Sequence, residues 1–162
     1  MIGDVLVSSI LCDNLRKMYP SAQIDYMVYE STTAVLDGNK SIDNLILFKE
    51  KHRKNKWEYF KFLLAIRKSK YDLVIDAYSK LESWITVLFS GAKQKISFRK
   101  KGRNFLYTDT VKRIKKPSSN LGLIIEERLA LLNPLKPEIE LITFPKIFVS
   151  EARPQAPRDD RG

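Results

Sequence analysis

Apolar residues recur at helical spacing in the first segment of the chain, IGDVLVSSILCDNLRKM, which Tyr19 and Pro20 close. This predicted helix opens on Gly3 and Asp4. A helix that begins with a glycine and an acid usually follows a strand at the carboxyl edge of a parallel sheet, where open α/β proteins bind their ligands. We therefore expect the functional site at the start of this helix.

The rest of the pattern alternates between short β-forming runs and longer amphipathic segments. Strands are predicted in AQIDYMVYE, near residues 45–48, in YDLVIDAYS and in KQKISF. Helices are predicted from residue 31, in NKWEYFKFLLAIRKSK, in LESWITVLFSGA and in SSNLGLIIEERLALLNPL. The run YDLVIDAYS is typical of a strand buried on both faces. Strands that alternate with helices predict an α/β fold with a parallel sheet.

Two of the predicted helices have an apolar face that can be assigned from the spacing. In the helix at 55–70 the face consists of Trp57, Phe60, Leu63 and Leu64. In the last helix it consists of Leu121, Ile124, Ile125, Leu129 and Leu132. We interpret the aromatic residues as core residues rather than as a stacking surface.

The composition is that of one globular domain. The chain has 162 residues, 44% of them hydrophobic, and no apolar run approaches the roughly 18 residues of a membrane span. Its start has no secretory pattern, so we expect a cytoplasmic protein. Cys12 is the single cysteine and is interpreted as a small core residue. His52 has no second histidine and no cysteine-rich neighbourhood, so we expect neither a metal site nor a cofactor.

The charge balance points to an anionic partner. The net charge is +10, which suits nucleic acid, phospholipid or an acidic sugar equally well. Basic residues cluster at 49–56, 99–103 and 112–116, between apolar segments. Each cluster is interpreted either as a solvated loop or as an anion contact.

The composition changes near the carboxyl end of the chain. Residues 151–162, EARPQAPRDDRG, contain no apolar side chain larger than alanine and use arginine where the preceding chain mostly uses lysine. We therefore expect a domain over 1–150 and a disordered tail over 151–162. Such a tail is either an added or frame-shifted segment or a natural polar linker.

Three segments carry a resemblance to a known family. IGDVLVSSILCDNLRKMYPSAQIDYMVYE, YDLVIDAYSKLESWITVLFSGAKQKISF and FLYT, in this order, resemble the amino-terminal half of family 9 glycosyltransferases, the lipopolysaccharide heptosyltransferases. The likeness covers roughly residues 2–148. It implies a GT-B architecture of two Rossmann-like domains, the first binding a lipid-linked anionic sugar acceptor and the second binding ADP-heptose. The chain looks like the first domain only.

The resemblance implies a role for the residues of the first helix. Asp4 matches the acid that acts as general base in the family, and an inverting transfer needs such a carboxylate to deprotonate the attacking hydroxyl. The alternative is an ordinary helix-capping aspartate. Gly3 would let the acceptor approach the backbone closely.

Candidate acceptor contacts follow the predicted strands. Asp76, Ser79 and Lys80 come at the end of the YDLVIDAYS strand and should lie beside Asp4 at one sheet edge. Lys80, Arg99 and Lys100 could meet acceptor phosphates or carboxylates. Asp76 is equally well interpreted as a loop acid, and the basic residues as solvated charges.

Three departures from the family pattern shape further expectations. Many relatives have a proline where this chain has Ser8 and Ser9, and no donor-site residue has a counterpart here. The family's first central strand, which precedes IGD, is missing. We therefore expect the strands at 24–29 and 73–76 to flank an empty position in the parallel sheet.

The leading function is thus the acceptor domain of a heptosyltransferase, inactive as this fragment, which could engage the inner face of a bacterial inner membrane. A basic α/β module that binds nucleic acid is the alternative. We do not expect nucleic acid as a partner, because the chain has no RRM, KH, helix-turn-helix or zinc-finger signature.

Overall fold

The computed structural model describes residues 2–147, so the predicted tail at 151–162 lies outside the described residues. Helices and strands alternate along these residues. The helices are α1 (Ile2–Met18), α2 (Glu50–Lys54), α3 (Lys56–Lys68), α4 (Leu81–Ser90) and α5 (Leu123–Ala130). The strands are β1 (Asp25–Tyr29), β2 (Asn44–Phe48), β3 (Leu73–Asp76), β4 (Gln94–Phe98) and β5 (Asp109–Val111). Short 3-10 turns occupy Glu30–Leu36, Asn104–Leu106 and Asn133–Leu135.

All strand pairs in the described residues are parallel. β1 pairs with β2, with Val28 opposite Leu47. β3 pairs with β4, and β4 pairs with β5. α-Helices connect β2 to β3 and β3 to β4, whereas 3-10 turns lie in the connections from β1 to β2 and from β4 to β5. The predicted α/β class with a parallel sheet and flanking helices is confirmed.

The sheet is divided between β1 and β3. These strands are not hydrogen-bonded to each other, so the order is β1-β2 in one sheet and β3-β4-β5 in the other. A groove of about 790 Å³ lies between them, with residues of both strands in its walls. The expected gap between these two strands is therefore observed.

The main core lies between α1, the β3-β4-β5 sheet and α5. Ile10, Ile96, Leu131 and Leu132 are completely buried in it, and Phe98 is almost so. α1 contributes because its sequence places apolar residues on the side that meets α5, and it ends at Met18 before the predicted Tyr19-Pro20 stop. α4 ends as predicted at Gly91, whose φ of +66° is the left-handed conformation that glycine adopts freely.

A second core lies under α3 and corrects the predicted face of that helix. Phe62, Leu63 and Ile66 are buried, with Phe62 packed edge-on against Phe48 at 5.5 Å. The predicted face was right for Leu63 but wrong for its other three residues, because Trp57, Phe60 and Leu64 are exposed. Apolar residues lie on two sides of α3, and only the side that packs against the sheet is buried.

Other elements also differ from the sequence prediction. The basic stretch at 49–56 contains the short helix α2, and β5 was not predicted. α5 begins only at Leu123, after Gly122 with a φ of +89°, and Ile124 on its predicted apolar face is 54% exposed. β3 is half-buried, whereas the sequence predicted a strand buried on both faces. Its residues Leu73, Val74 and Ile75 line the groove.

The Glu126 side chain connects the start of α5 to the preceding loop through hydrogen bonds. Its carboxylate accepts hydrogen bonds from the backbone N–H groups of Ser118 and Ser119, each at 2.7 Å. Both serine hydroxyls also donate to it, at 2.9 and 2.6 Å. These donors favour the ionised form and lower the pKa of Glu126 to about 2.

The lowered pKa of Glu126 predicts that the folded chain loses stability in acid. The pKa of Glu126 is lower in the folded chain than its ordinary value of 4.5. The ionised carboxylate therefore stabilises the folded state fully above pH 4.5, and this stabilisation is lost as the pH falls toward about 2. Urea unfolding between pH 2 and 7 should show wild type more stable than Glu126→Gln at neutral pH, with the two converging in acid. The matched control is Glu138→Gln, an exposed carboxylate, which should track wild type throughout. A constant difference between wild type and Glu126→Gln would contradict the assignment.

Candidate functional site

The candidate site lies at the carboxyl end of β3, on the groove that residues of α1 also line. Asp4 is in the first turn of α1, and Asp76 is the last residue of β3. Both line the groove, together with Lys80 at the start of α4. Three of the predicted site residues are thus among those that line this groove.

The Asp76 carboxylate organises this edge. One oxygen accepts from the backbone N–H groups of Tyr78 and Ser79, at 3.0 and 2.8 Å. The other accepts from the hydroxyls of Ser83 and Tyr107, at 3.1 and 2.7 Å. Asp76 is only 4% exposed, and a buried carboxylate is tolerable because four donors surround it. It ties the end of β3 to α4 and to the segment before β5.

Tyr107 is held as a proton donor in this arrangement. Burial raises the pKa of its phenol, and the neighbouring Asp76 carboxylate raises it further. The hydroxyl therefore stays protonated at neutral pH and continues to donate to Asp76.

Ser79 is a structural member of the same network. Its φ of +52° is the left-handed conformation, which is uncommon outside glycine. Its Oγ lies 2.8 Å from Ser97 Oγ, which in turn lies 2.8 Å from the Asp76 carbonyl oxygen that it donates to. Ser79 is 8% exposed, so the two buried hydroxyls hold a strained turn in place.

The basic residues of the edge fall into two groups. Lys80 is exposed and lines the groove, with its ammonium 4.4 Å from the centre of the Tyr78 ring. Arg99 and Lys100 are exposed after β4 but are not among the residues that line the groove. Lys80 therefore lines the same groove as Asp4 and Asp76, whereas Arg99 and Lys100 lie in the loop after β4.

Arg103 reaches the edge from the loop that carries those two residues. Its guanidinium lies over the Trp84 ring at 5.4 Å, and its Nη1 donates to the Ser79 carbonyl oxygen at 3.4 Å. Sequence reasoning missed Arg103 as well as Tyr107 and Ser83. FLYT contributed to the family resemblance, but no local spacing connects Tyr107 with Asp76, 31 residues earlier.

Gly3, in the first turn of α1, is not among the residues that line the groove. Gly3 is exposed, and a Cβ added there would meet no atom within 4 Å. The Ser8-Ser9 pair, which stands where relatives have proline, lies within the continuous helix α1. Ser8 Oγ accepts from the buried Arg128 Nε at 2.9 Å, and Ser9 Oγ donates to the Leu6 carbonyl at 2.7 Å.

Cys12 lies in the wall of the groove and is 5% exposed. Burial, reinforced by the nearby Asp13 carboxylate, raises the pKa of its thiol to about 12. The thiol is thus a small core group, as its position in an apolar helix indicated.

His52 takes part in local structure. Its Nδ1 accepts from the Lys49 backbone N–H at 3.1 Å, and its ring packs at 4.8 Å on Phe62. Within residues 2–147, no group of three or more His, Cys, Asp or Glu side chains is placed to hold a metal ion. In the same residues, no helix combines the length and apolarity needed to cross a bilayer.

Comparison with known proteins bears on this arrangement. No protein-family model matches the chain. Lipopolysaccharide heptosyltransferase 3 of Escherichia coli is 28% identical over an alignment of 141 residues, and the alignment covers 82% of this chain. The resemblance to family 9 glycosyltransferases is confirmed. The chain spans 40% of the length of that relative.

Solved structures of family 9 glycosyltransferases show the same fold. A family 9 glycosyl transferase from Veillonella parvula superposes on 93% of this chain with a TM-score of 0.73 and 17% identity. E. coli heptosyltransferase WaaC, solved with ADP-2-deoxy-2-fluoro heptose, superposes on 86% of the chain with a TM-score of 0.67 and 20% identity. The chain covers 43% and 48% of these two structures. The groove and its edge therefore belong to a GT-B-like α/β domain.

The Asp76 network predicts a measurable coupling. Tyr107→Phe should lower the free energy of unfolding by about 2 kcal/mol, the scale of a hydrogen bond to a charged group. Asp76→Ala should cost about 3 kcal/mol or more, because it leaves several donors unpaired. Urea unfolding of the single and double variants should give a coupling of about 1 kcal/mol or more between the two sites.

The matched control for this cycle is Tyr19→Phe. Tyr19 is 43% exposed, so its variant should remain within about 0.5 kcal/mol of wild type. Strict additivity of Asp76→Ala and Tyr107→Phe would show that the two groups do not depend on each other.

Proposed function

We propose that the chain is the acceptor-binding domain of an inverting glycosyltransferase that transfers heptose from ADP-heptose to a lipopolysaccharide core acceptor. The observation that supports this most directly is the position of Asp4, on the groove wall with Asp76 and Lys80. The similarity to heptosyltransferase 3 supports the reaction class, and WaaC, solved with a fluorinated ADP-heptose, supports the donor.

In this proposal Asp4 is the general base. Its carboxylate takes the proton from the attacking acceptor hydroxyl while the acceptor oxygen bonds to the anomeric carbon of the donor. The bond from that carbon to the departing ADP breaks, and ADP leaves with the electron pair. The anomeric carbon carries oxocarbenium character during the transfer, so the incoming oxygen must be as nucleophilic as possible.

The remaining site residues bind the acceptor. Lys80 presents an exposed ammonium to the groove and suits a phosphate or carboxylate of an anionic core sugar. Arg99 and Lys100 extend the positive charge along the next loop, and Gly3 leaves room beside Asp4. Asp76 and Ser79 act mainly by fixing the loop that presents Lys80. Residues 2–147 would bind acceptor without transferring sugar, because a second domain supplies the nucleotide-sugar site.

The proposal predicts the effect of removing the base. In a chimera that joins this domain to the carboxyl-terminal domain of E. coli heptosyltransferase 3, Asp4→Asn should lower turnover by about 100-fold or more, the scale of general-base catalysis. Acceptor binding should change little, because Asn keeps the size of the side chain. Turnover is measured as ADP release from ADP-heptose.

Asp37→Asn, an exposed acid away from the groove, is the control and should keep full activity. Full activity in the Asp4→Asn chimera would reduce Asp4 to a helix-capping residue.

A lipid-linked acceptor would require the domain to work at a membrane surface. The exposed face of α3 suits this task, with Trp57 stacked on Phe60 at 5.8 Å and Lys61 over the Trp57 ring. Aromatic and basic side chains on one helix face favour anionic bilayers. The same face also favours the nucleic-acid alternative, since exposed aromatics can stack on bases.

One experiment separates these two partners. The double variant Trp57→Ser and Phe60→Ser should weaken cosedimentation with phosphatidylglycerol vesicles on the order of tenfold, because it removes two interfacial side chains. Phe105→Ser, at an 84% exposed position on another element, is the control. Tight, salt-dependent binding of random oligonucleotides, lost in the double variant, would favour the nucleic-acid alternative.

A further inference from the structure

The short helix α2 (Glu50–Lys54) lies on the surface, and none of its own residues is buried. Lys49 before it and Asn55 after it both have an extended backbone. The Asn55 side chain accepts hydrogen bonds from the backbone N–H groups of Trp57 and Glu58, so it caps α3 separately. α2 can therefore move between these two extended residues without unwinding α3.

His52 attaches α2 to the second core. Its ring packs on Phe48 at 5.4 Å and on Phe62 at 4.8 Å. Its Nδ1 accepts the Lys49 backbone N–H at 3.1 Å, at the start of α2. A ring nitrogen accepts a hydrogen bond only while it carries no proton, so this bond requires the neutral imidazole.

The surroundings of His52 favour the neutral ring. Burial against the aromatic side chains is the largest effect, and it lowers the pKa of His52 below its ordinary value of 6.5. Lys51 and Lys49 lower the pKa further, whereas Glu58 of α3 and Glu30 of the first 3-10 turn oppose them. Two cations and two carboxylates thus face the ring, and burial decides the direction.

Three ion pairs connect α2 and Lys49 to the neighbouring elements. The pairs, with N···O distances of 2.8, 3.1 and 3.9 Å, are Lys51–Glu58, Lys49–Glu30 and Arg53–Glu82. All three lie at the surface, where ion pairs contribute little to stability. His52 is therefore the main attachment of α2.

α2 also lies close to the candidate site. The carboxylate that pairs with Arg53 belongs to Glu82, which lines the groove and follows Lys80 by two residues. Burial raises the pKa of Tyr29, and the charges of Glu82, Lys80 and Arg53 all act on its phenol. The position of α2 therefore affects the charge at the carboxyl edge of the strands.

We propose that α2 is a pH-controlled flap. Neutral His52 keeps it docked on Phe48 and Phe62. In mildly acidic solution a proton on Nδ1 removes the acceptor of the Lys49 N–H and sets two donors against each other, so α2 leaves the aromatic cluster. Arg53 then separates from Glu82 and leaves that carboxylate unneutralised at the start of α4.

The direction of the pH dependence follows from the lowered pKa. An undocked ring binds a proton more readily than the docked ring, so docking is fully favoured above about pH 6.5 and weakens as the pH falls below it. Histidine is the side chain whose ordinary pKa lies between pH 5 and 8, and His52 is the single histidine of the chain.

The test is an NMR titration of the full chain between pH 7.5 and pH 5.0. The imidazole resonances are unambiguous, because the chain has one histidine. Nuclear Overhauser contacts between the His52 and Phe62 rings should be present at pH 7.5 and lost at pH 5.0. The hydrogen-exchange protection factors of the Lys49 and Asn55 amides should fall several-fold, because these amides donate to His52 and to the Lys51 carbonyl only in the docked helix.

Two variants separate the histidine from the ion pairs. His52→Gln retains a side-chain acceptor for the Lys49 N–H but does not titrate, so its amide protection factors should be independent of pH over this range. Glu58→Gln removes the ion pair with Lys51 but keeps His52, so it should still undock in acid.

Three outcomes would overturn the proposal. One is a contact between His52 and Phe62 that persists after the ring has become protonated. Another is an equal loss of amide protection in His52→Gln, which would assign the change to another group. The third is a simultaneous loss of the folded resonances of β4, which would mean that acid unfolds the whole domain instead of moving α2.

Discussion

The buried carboxylate of Asp76 is the interaction on which the carboxyl edge of this domain depends. A carboxylate that is nearly out of contact with water must be surrounded by donors, and it recruits them from three separate parts of the chain. These donors fix the turn after β3, the first turn of α4 and the segment that leads into β5. The position of Lys80 at the groove follows from that turn. The left-handed conformation of Ser79 is tolerated for the same reason.

Much of the architecture follows from local pattern. The alternation of β-forming runs with amphipathic segments located β1 to β4 and the long helices, because each is long enough to show its period. β5 has three residues, too few for a period to appear, and α2 is a run of charged residues that a pattern cannot distinguish from a loop. α3 shows a different limit of prediction from the hydrophobic pattern. It has apolar residues on opposite sides, and only the position of the sheet decides whether Phe62 or Phe60 becomes core.

The sequence also located part of the candidate site, because strand ends can be read from the pattern. Parallel strands end at a common edge, so residues directly after a strand, such as Asp76 and Lys80, could be placed near Asp4. The partners of Asp76 could not, because Tyr107 approaches it only through the tertiary fold. The loop after β4 carries several basic residues, and its conformation selects Arg103 over Arg99 for contact with the turn.

The divided sheet has a consequence for how the domain unfolds. The β1-β2 pair and the β3-β4-β5 set share no hydrogen-bond ladder in the described residues, so their coupling passes through side-chain packing of α1 with α5 and the Glu30–Leu36 turn, and of α3 with α4. Backbone ladders join neighbouring strands into one cooperative unit, whereas packing alone permits partial opening. In the described residues we therefore expect the two sheets to open with different free energies. The β3-β4-β5 sheet, which holds Asp76 and most of the completely buried residues, is expected to be the more resistant of the two.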